Sequence, residues 1–176
     1  MAQLKFIFTG TPNVGKTTAI STISEFEPIT TEVATTDNLA AVKSETTAAM
    51  DYGEVSLENG IKLRLYGTPG QKRFSFMWEI LTEGALGLII LVDNSHANPL
   101  DDLDTYLENF STFIESTGVV VGITRYEHNP TPNLDQYYEH VMQKYGQNYP
   151  IFPVDIRKKE DVLLLLDALI ATLEVS

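Results

Sequence analysis

The sequence predicts an α/β protein of three layers, a mixed, mostly parallel six-stranded sheet with helices on both faces. Three observations carry this. Short apolar runs alternate with helical stretches along nearly the whole chain. The run Leu86–Val92 is continuously apolar, as a strand buried on both faces must be. The first run, Leu4–Phe8, breaks into Gly10-x-x-x-x-Gly15-Lys16-Thr17, the pattern that joins a strand to a helix around a phosphate group.

Composition narrows the function classes. At 176 residues the chain is expected to be one domain, spanning 1–176, large enough to bury a core without disulfides. It has no cysteine, so it has neither a disulfide framework nor a thiolate metal site, which suits a reducing, cytoplasmic setting. Its three histidines, His96, His128 and His140, lack metal-ligand spacing and read as surface residues. Twelve Lys and Arg against 24 Asp and Glu give a net charge of −12, which argues against nucleic acid as a partner. The longest uncharged apolar run, Ala85–Val92, has eight residues, against the ~20 a bilayer-spanning helix needs. No direct membrane insertion is expected, and neither end carries a lipidation signal.

In chain order, Leu4–Phe8 is the first strand and Lys16 to about Glu25 the first helix. Glu27 to Thr47, with Pro28 and threonines at 30, 31, 35, 36, 46 and 47, shows little periodicity and reads as a long functional loop. Ala49–Leu57 and Lys62–Leu65 alternate with period two around Glu58-Asn59-Gly60, whose Asn-Gly signals a hairpin. Gly67-Thr68-Pro69-Gly70 ends that pair, and Lys72 to Glu83 reads as an irregular helix with Phe74, Phe76, Met77 and Trp78. After the buried strand Leu86–Val92, Pro99 and Asp101-Asp102-Leu103-Asp104 open a helix to about Glu115, the carboxylates complementing its dipole. Gly118–Ile123 is another buried strand, Pro132 starts a helix to Tyr145, Ile151–Val154 is the last strand and Glu160–Leu173 the closing helix.

Ligands of such sheets bind beyond the carboxyl ends of the strands, which selects the loops at 10–17, 27–47, 66–73, 93–99, 124–131 and 155–159. In the first, Gly10 and Gly15 let backbone N–H groups close on a phosphate without a Cβ in the way. Asn13, Val14, Gly15, Lys16, Thr17 and Thr18 form the candidate cradle. Lys16 would meet the β- and γ-phosphates, Thr17 would ligate Mg²⁺, and the helix N-terminus adds positive potential. In the loop after the hairpin, Gly70 could donate its N–H to a γ-phosphate and Gln71 could orient an attacking water.

Taken together, Gly10–Thr17, a threonine at 47 before a strand, and Gly-Thr-Pro-Gly-Gln at 67–71 resemble the Ras-like small GTPases. Met50-Asp51-Tyr52-Gly53 and the Pro-Gly-Gln form are most similar to the bacterial and archaeal branch of MglA-type polarity GTPases. The resemblance implies a Ras-like P-loop fold that binds GTP or GDP with Mg²⁺, hydrolyses GTP slowly and switches residues 27–47 and 66–78 between nucleotide states. It implies catalytic roles for Gln71 and Lys16, and metal ligation by Thr17 and by Thr47 (Thr46 if the register differs by one). Partners would be guanine nucleotide and regulatory or effector proteins, some of the Roadblock-domain type. The alternatives are a nucleotide-dependent binding module with little hydrolysis and an ATP-binding P-loop protein.

Three departures from that family stand in this sequence. Gly67 occupies the place of the aspartate that holds a metal-bound water, with Asp93 as a substitute candidate. The guanine-reading Asn-Lys-x-Asp becomes Thr124-Arg125-Tyr126-Glu127, in which Glu127 would accept from the guanine N1–H and 2-amino group and Arg125 would stack on the base. The loop that backs the base becomes Asp155-Ile156-Arg157, with the Ile156 N–H facing the base oxygen and Asp155 bracing the loop.

Overall fold

A computed structural model describes residues 3–35, 46–69 and 75–175. The elements run β1 (Gln3–Gly10), α1 (Lys16–Ile23), β2 (Ile29–Thr35), β3 (Thr46–Ser56), β4 (Lys62–Gly67), α2 (Ser75–Thr82), β5 (Gly87–Asp93), α3 (Pro99–Asn109), α4 (Ser111–Ser116), β6 (Val119–Thr124), α5 (Leu134–Tyr145), β7 (Ile151–Pro153) and α6 (Lys159–Val175).

The strands form one sheet in the order β2-β3-β4-β1-β5-β6-β7. Pairs β1–β4, β1–β5, β5–β6 and β6–β7 are parallel, and β2–β3 and β3–β4 antiparallel. The mixed, mostly parallel three-layer α/β class is as the sequence predicts. The strand count is not, because seven strands are present among the described residues where six were expected. The added one, β2, lies inside the expected loop 27–47, with Ile29 opposite Tyr52 and Thr35 opposite Thr46. Its threonines, Ile29 and Val33 are β-branched residues that suit a pleated edge strand, and β3 supplies the partner that local periodicity cannot reveal. The expected helix from Pro99 to Glu115 is likewise two helices, parted at Phe110, which turns inward to stack on Trp78 with centroids 5.2 Å apart.

The sheet is covered on both faces, which explains its apolar central strands. On β5, Leu88, Ile90 and Val92 face a core with Trp78, Leu81, Leu103, Tyr106 and Tyr137, from α2, α3 and α5. Ile89 and Leu91 face the other core, with Ile20 and Ile23 of α1 and Val162, Leu165 and Leu169 of α6. The aromatic group of the α2 region divides: Met77 and Trp78 are buried, Phe76 is exposed, and Phe74 lies outside the described residues.

Helix α5 is delimited by local chemistry. The Asn133 side chain accepts from the Gln136 N–H while Gln136 reaches back to the Asn133 N–H, and Gly146 at φ 65° closes the other end. Pro132 therefore sits just before the cap rather than inside the first turn. With the layers in place, the carboxyl ends of β1, β5 and β6 bring Gly10, Asp93 and Thr124 to one edge of the sheet.

Candidate functional site

The loop between β1 and α1 is shaped by two glycines at positive φ. A Cβ at Gly10 (φ 150°) would stand 2.5 Å from the Leu91 carbonyl oxygen, and one at Gly15 (φ 111°) 2.0 Å from Ile156 Cδ1. Between them Asn13 takes φ 65°, and Val14 is fully buried as the loop's anchor. Asn13, Gly15, Lys16, Thr17 and Thr18 line a cleft of about 300 Å³. The Lys16 Nζ donates to the carbonyls of Gly10 and Thr11, both at 2.9 Å. Burial pushes its pKa down to about 8, against the opposing pull of the Asp51 charge. Thr11 Oγ1 is buried without a hydrogen-bond partner among the described residues.

Thr17 points to the neighbouring strand. Its hydroxyl donates to Asp51 Oδ2 at 2.5 Å, and the Thr30 hydroxyl donates to Asp51 Oδ1 at 2.9 Å. Asp51 is 6% exposed. Sequence reasoning quoted this residue only within Met50-Asp51-Tyr52-Gly53 and gave it no role. A signal was available: positions 51, 53 and 55 share the buried face of β3 while 50, 52 and 54 are half-buried, so a carboxylate stands in phase with Gly53 and Val55 on an inward face.

Among the described residues no group of three or more His, Asp or Glu side chains converges as a metal cluster. The hydroxyl of Thr17 beside the Asp51 carboxylate is nevertheless an oxygen donor set of the kind a hard cation takes. Mg²⁺ commonly binds one or two protein oxygens and completes its shell with phosphate oxygens and water. The residues present therefore fit Mg²⁺ bound together with a nucleotide.

The loop after β4 is held at three points. Thr68 N–H donates to the Phe8 carbonyl at 2.9 Å, the Thr68 and Thr9 hydroxyls share a hydrogen bond at 2.8 Å, and the Trp78 indole donates to the Pro69 carbonyl at 2.8 Å. Thr68 and Pro69 are thus tied to β1 and to α2. Gly70 and Gln71 lie outside the described residues. Thr47 lies in β3 opposite Ala34, four positions from Asp51, or about 13 Å along an extended strand. Its side chain lies outside the described residues.

At the end of β6, Thr124 is buried and its hydroxyl donates to the Val92 carbonyl at 3.3 Å. Arg125, at φ 55°, forms an ion pair with Asp93. Asp93 also accepts from the Ser95 N–H at 2.9 Å and the Ser95 hydroxyl at 2.6 Å. Burial raises its pKa, but these bonds and the Arg125 charge outweigh that and hold it below the usual carboxylate range. Asp93, the last residue of β5, is thus paired with Arg125 and Ser95, and the carboxylate that Thr17 meets is Asp51. Glu127 is exposed.

In the last loop, Asp155 braces Arg157, accepting from its Nε and N–H at 3.0 Å and from Nη2 at 2.9 Å, which lowers the carboxyl pKa to about 2. The Ile156 carbonyl accepts from Thr22 on α1 at 2.6 Å, so this loop is fastened to the helix that follows the phosphate loop. The histidines are not all plain surface residues. His140 Nε2–H donates to Asp104 Oδ1 across 2.8 Å, and His96 lies between Asp102 and Asp93.

No helix among the described residues is long and apolar enough to cross a membrane. Among curated proteins the chain is similar to an uncharacterized protein of Methanocaldococcus jannaschii, 29% identical over 122 residues, 69% of this chain and 68% of that protein. A family model described as a conserved hypothetical ATP-binding protein matches residues 27–121, β2 through the first half of β6, a stretch that includes Asp51 and begins after the phosphate loop. That span is more than half of the chain, and the protein belongs to this family of P-loop nucleotide-binding proteins.

Proposed function

We infer that this protein binds a purine nucleoside triphosphate with Mg²⁺ at the loop 10–17 and hydrolyses it slowly. The observation that carries the reading is Lys16, a buried ammonium held by the Gly10 and Thr11 carbonyls at the start of α1. Phosphate oxygens would take the place of those carbonyls, while loop N–H groups and the helix N-terminus add further positive potential. Thr17 and Asp51 are the residues that would hold Mg²⁺, which supplies charge neutralisation on the phosphates when bound. Gly70 and Gln71 would contact the γ-phosphate and orient water, so the chemistry is positioning in a preformed polar site.

ATP is the first choice of nucleotide, supported by the description of the family. GTP is the second, and a specific observation favours it. Glu127, exposed after β6, is a carboxylate free to accept from a guanine edge. Under that second reading the protein is a Ras-like molecular switch of the MglA kind, with effector or Roadblock-type regulatory partners.

Calorimetric titration of the full chain with Mg·ATP and Mg·GTP tests both choices. Lys16→Met should weaken the preferred nucleotide about 30-fold or more while the fold is kept, the scale of losing a charged contact in a partly dry site. Binding of neither nucleotide to the wild-type chain, or equal binding by the variant, would sink the proposal.

A further inference from the structure

Asp51 and Gly67 are direct partners across the β3–β4 ladder. Directly opposed residues on neighbouring strands project to the same face and share one space. Here that space is tight: a Cβ built at Gly67 would stand 3.3 Å from both Asp51 Cβ and Asp51 Oδ2, and 3.3 Å from Ile20 Cδ1 on α1. Side chains at both positions would compete for the volume beside Thr17. The family resemblance expects a carboxylate at 67 and finds a glycine. The space it would fill holds the carboxylate of Asp51.

Two further features set Asp51 apart from an ordinary buried aspartate. Each of its oxygens accepts a hydroxyl hydrogen bond, Oδ2 from Thr17 and Oδ1 from Thr30, so its orientation is fixed. It is 6% exposed, yet no Lys, Arg or His lies within ion-pair distance of it among the described residues. A buried carboxylate with neutral donors only is an arrangement that a cation completes. Lys16 does not fill that role, because its ammonium is held by Gly10 and Thr11.

We propose that Asp51 is the metal-positioning carboxylate of the nucleotide site, supplied from β3 in place of position 67 on β4, with Thr30 holding it in orientation. The proposal rests on the nucleotide reading above. It makes Gly67 the small residue that gives Asp51 room, with the metal carboxylate kept on the neighbouring strand. It also predicts that the two positions can be exchanged.

The test uses the full chain, Mn²⁺ as the probe metal, and whichever of ATP and GTP the wild type retains. Mn²⁺ affinity of the protein–nucleotide complex is read by electron paramagnetic resonance, and nucleotide affinity is read separately in excess EDTA. Asp51→Asn should lower the Mn²⁺ affinity about 10- to 100-fold, the scale of losing a metal-orienting carboxylate. In EDTA the same variant should bind nucleotide as well as wild type or better, since a negative charge beside the phosphates is gone. Thr30→Val should give a smaller loss in the same direction. The exchanged chain Asp51→Gly, Gly67→Asp should recover Mn²⁺ affinity to within about fivefold of wild type. Mn²⁺ affinity unchanged in Asp51→Asn, or equal weakening with and without metal, would overturn the proposal and leave nucleotide binding standing. An exchanged chain that melts like wild type yet regains no affinity would overturn it too. A wild-type chain that retains neither nucleotide would remove the nucleotide reading and this proposal together.

Discussion

The indole N–H of Trp78 donates to the Pro69 carbonyl across 2.8 Å while its ring stacks on Phe110 at 5.2 Å. The sole tryptophan thereby joins helix α2 and the helical core to the residues leaving β4. Thr68 extends the connection to Thr9, the residue before Gly10. A rearrangement at the phosphate loop and one at the β4 exit are mechanically adjacent.

Trp78→Phe keeps most of the ring stacking but leaves the Pro69 carbonyl buried without its donor. Urea unfolding should show a loss of about 1–3 kcal/mol, the cost of an unsatisfied buried acceptor. In the wild-type chain, tryptophan fluorescence should shift when a non-hydrolysable triphosphate binds. A variant as stable as wild type would mean that water satisfies the carbonyl.

Gly15→Ala should destabilise by about 1–2 kcal/mol through its left-handed backbone alone, with an added clash against Ile156 Cδ1 at 2.0 Å. Combining it with Ile156→Ala should recover the clash part and leave the backbone part. Thermal melts of the two variants separate the contributions. Identical melting of both would show that the clash contributes nothing.

Glu127→Ala decides between the two nucleotide readings. If the carboxylate reads guanine, GTP affinity should fall by about 2–4 kcal/mol, the range for charged hydrogen bonds in a desolvated site. An inosine nucleotide, lacking the 2-amino group, should lose less, and ATP should be indifferent. A chain that prefers ATP and is unaffected by the variant would retire the guanine reading.

A polar cluster away from the site should govern acid stability. Asp104 on α3 accepts from Tyr145 at 2.7 Å, His140 at 2.8 Å and Lys144 at 2.9 Å on α5. Burial raises its pKa, but these bonds prevail and hold it below the ordinary value. A carboxyl with a depressed folded pKa contributes stability that is complete above the ordinary aspartate value of about 3.9. That contribution fades as the pH falls through the lower folded value. Asp104→Asn should cost about 2–3 kcal/mol at neutral pH, and the gap to wild type should narrow below about pH 4 in denaturation curves. A gap independent of pH would assign the cluster a packing role only.

The phosphate loop was legible because its chemistry is local. Glycines at 10 and 15, Lys16 and Thr17 act over eight consecutive residues, and the strand and helix on either side carry their own periodicity. The buried central strands were legible for a similar reason, since a run such as Leu86–Val92 has nowhere to go but inside. Strand β2 was not, because an edge strand of threonines is defined by its ladder to β3, which pairs residues from Ile29 with Tyr52 to Thr35 with Thr46. The residues after β6 needed the fold as well. Only the parallel pairing of β5 with β6 brings Arg125 to Asp93, turning an expected stacking cation into half of an ion pair.

The amino-acid sequence by itself determined the α/β class and the place of the glycine-bounded loop between β1 and α1, because both follow from composition and spacing within single segments. Only the tertiary structure decided which carboxylate stands beside Thr17. Asp51 and Thr17 are separated by 34 residues and meet at 2.5 Å because β3 lies against α1 with position 51 turned inward. A hydrogen bond depends on distance and direction in space, and those are properties of the packed layers rather than of any one stretch of chain.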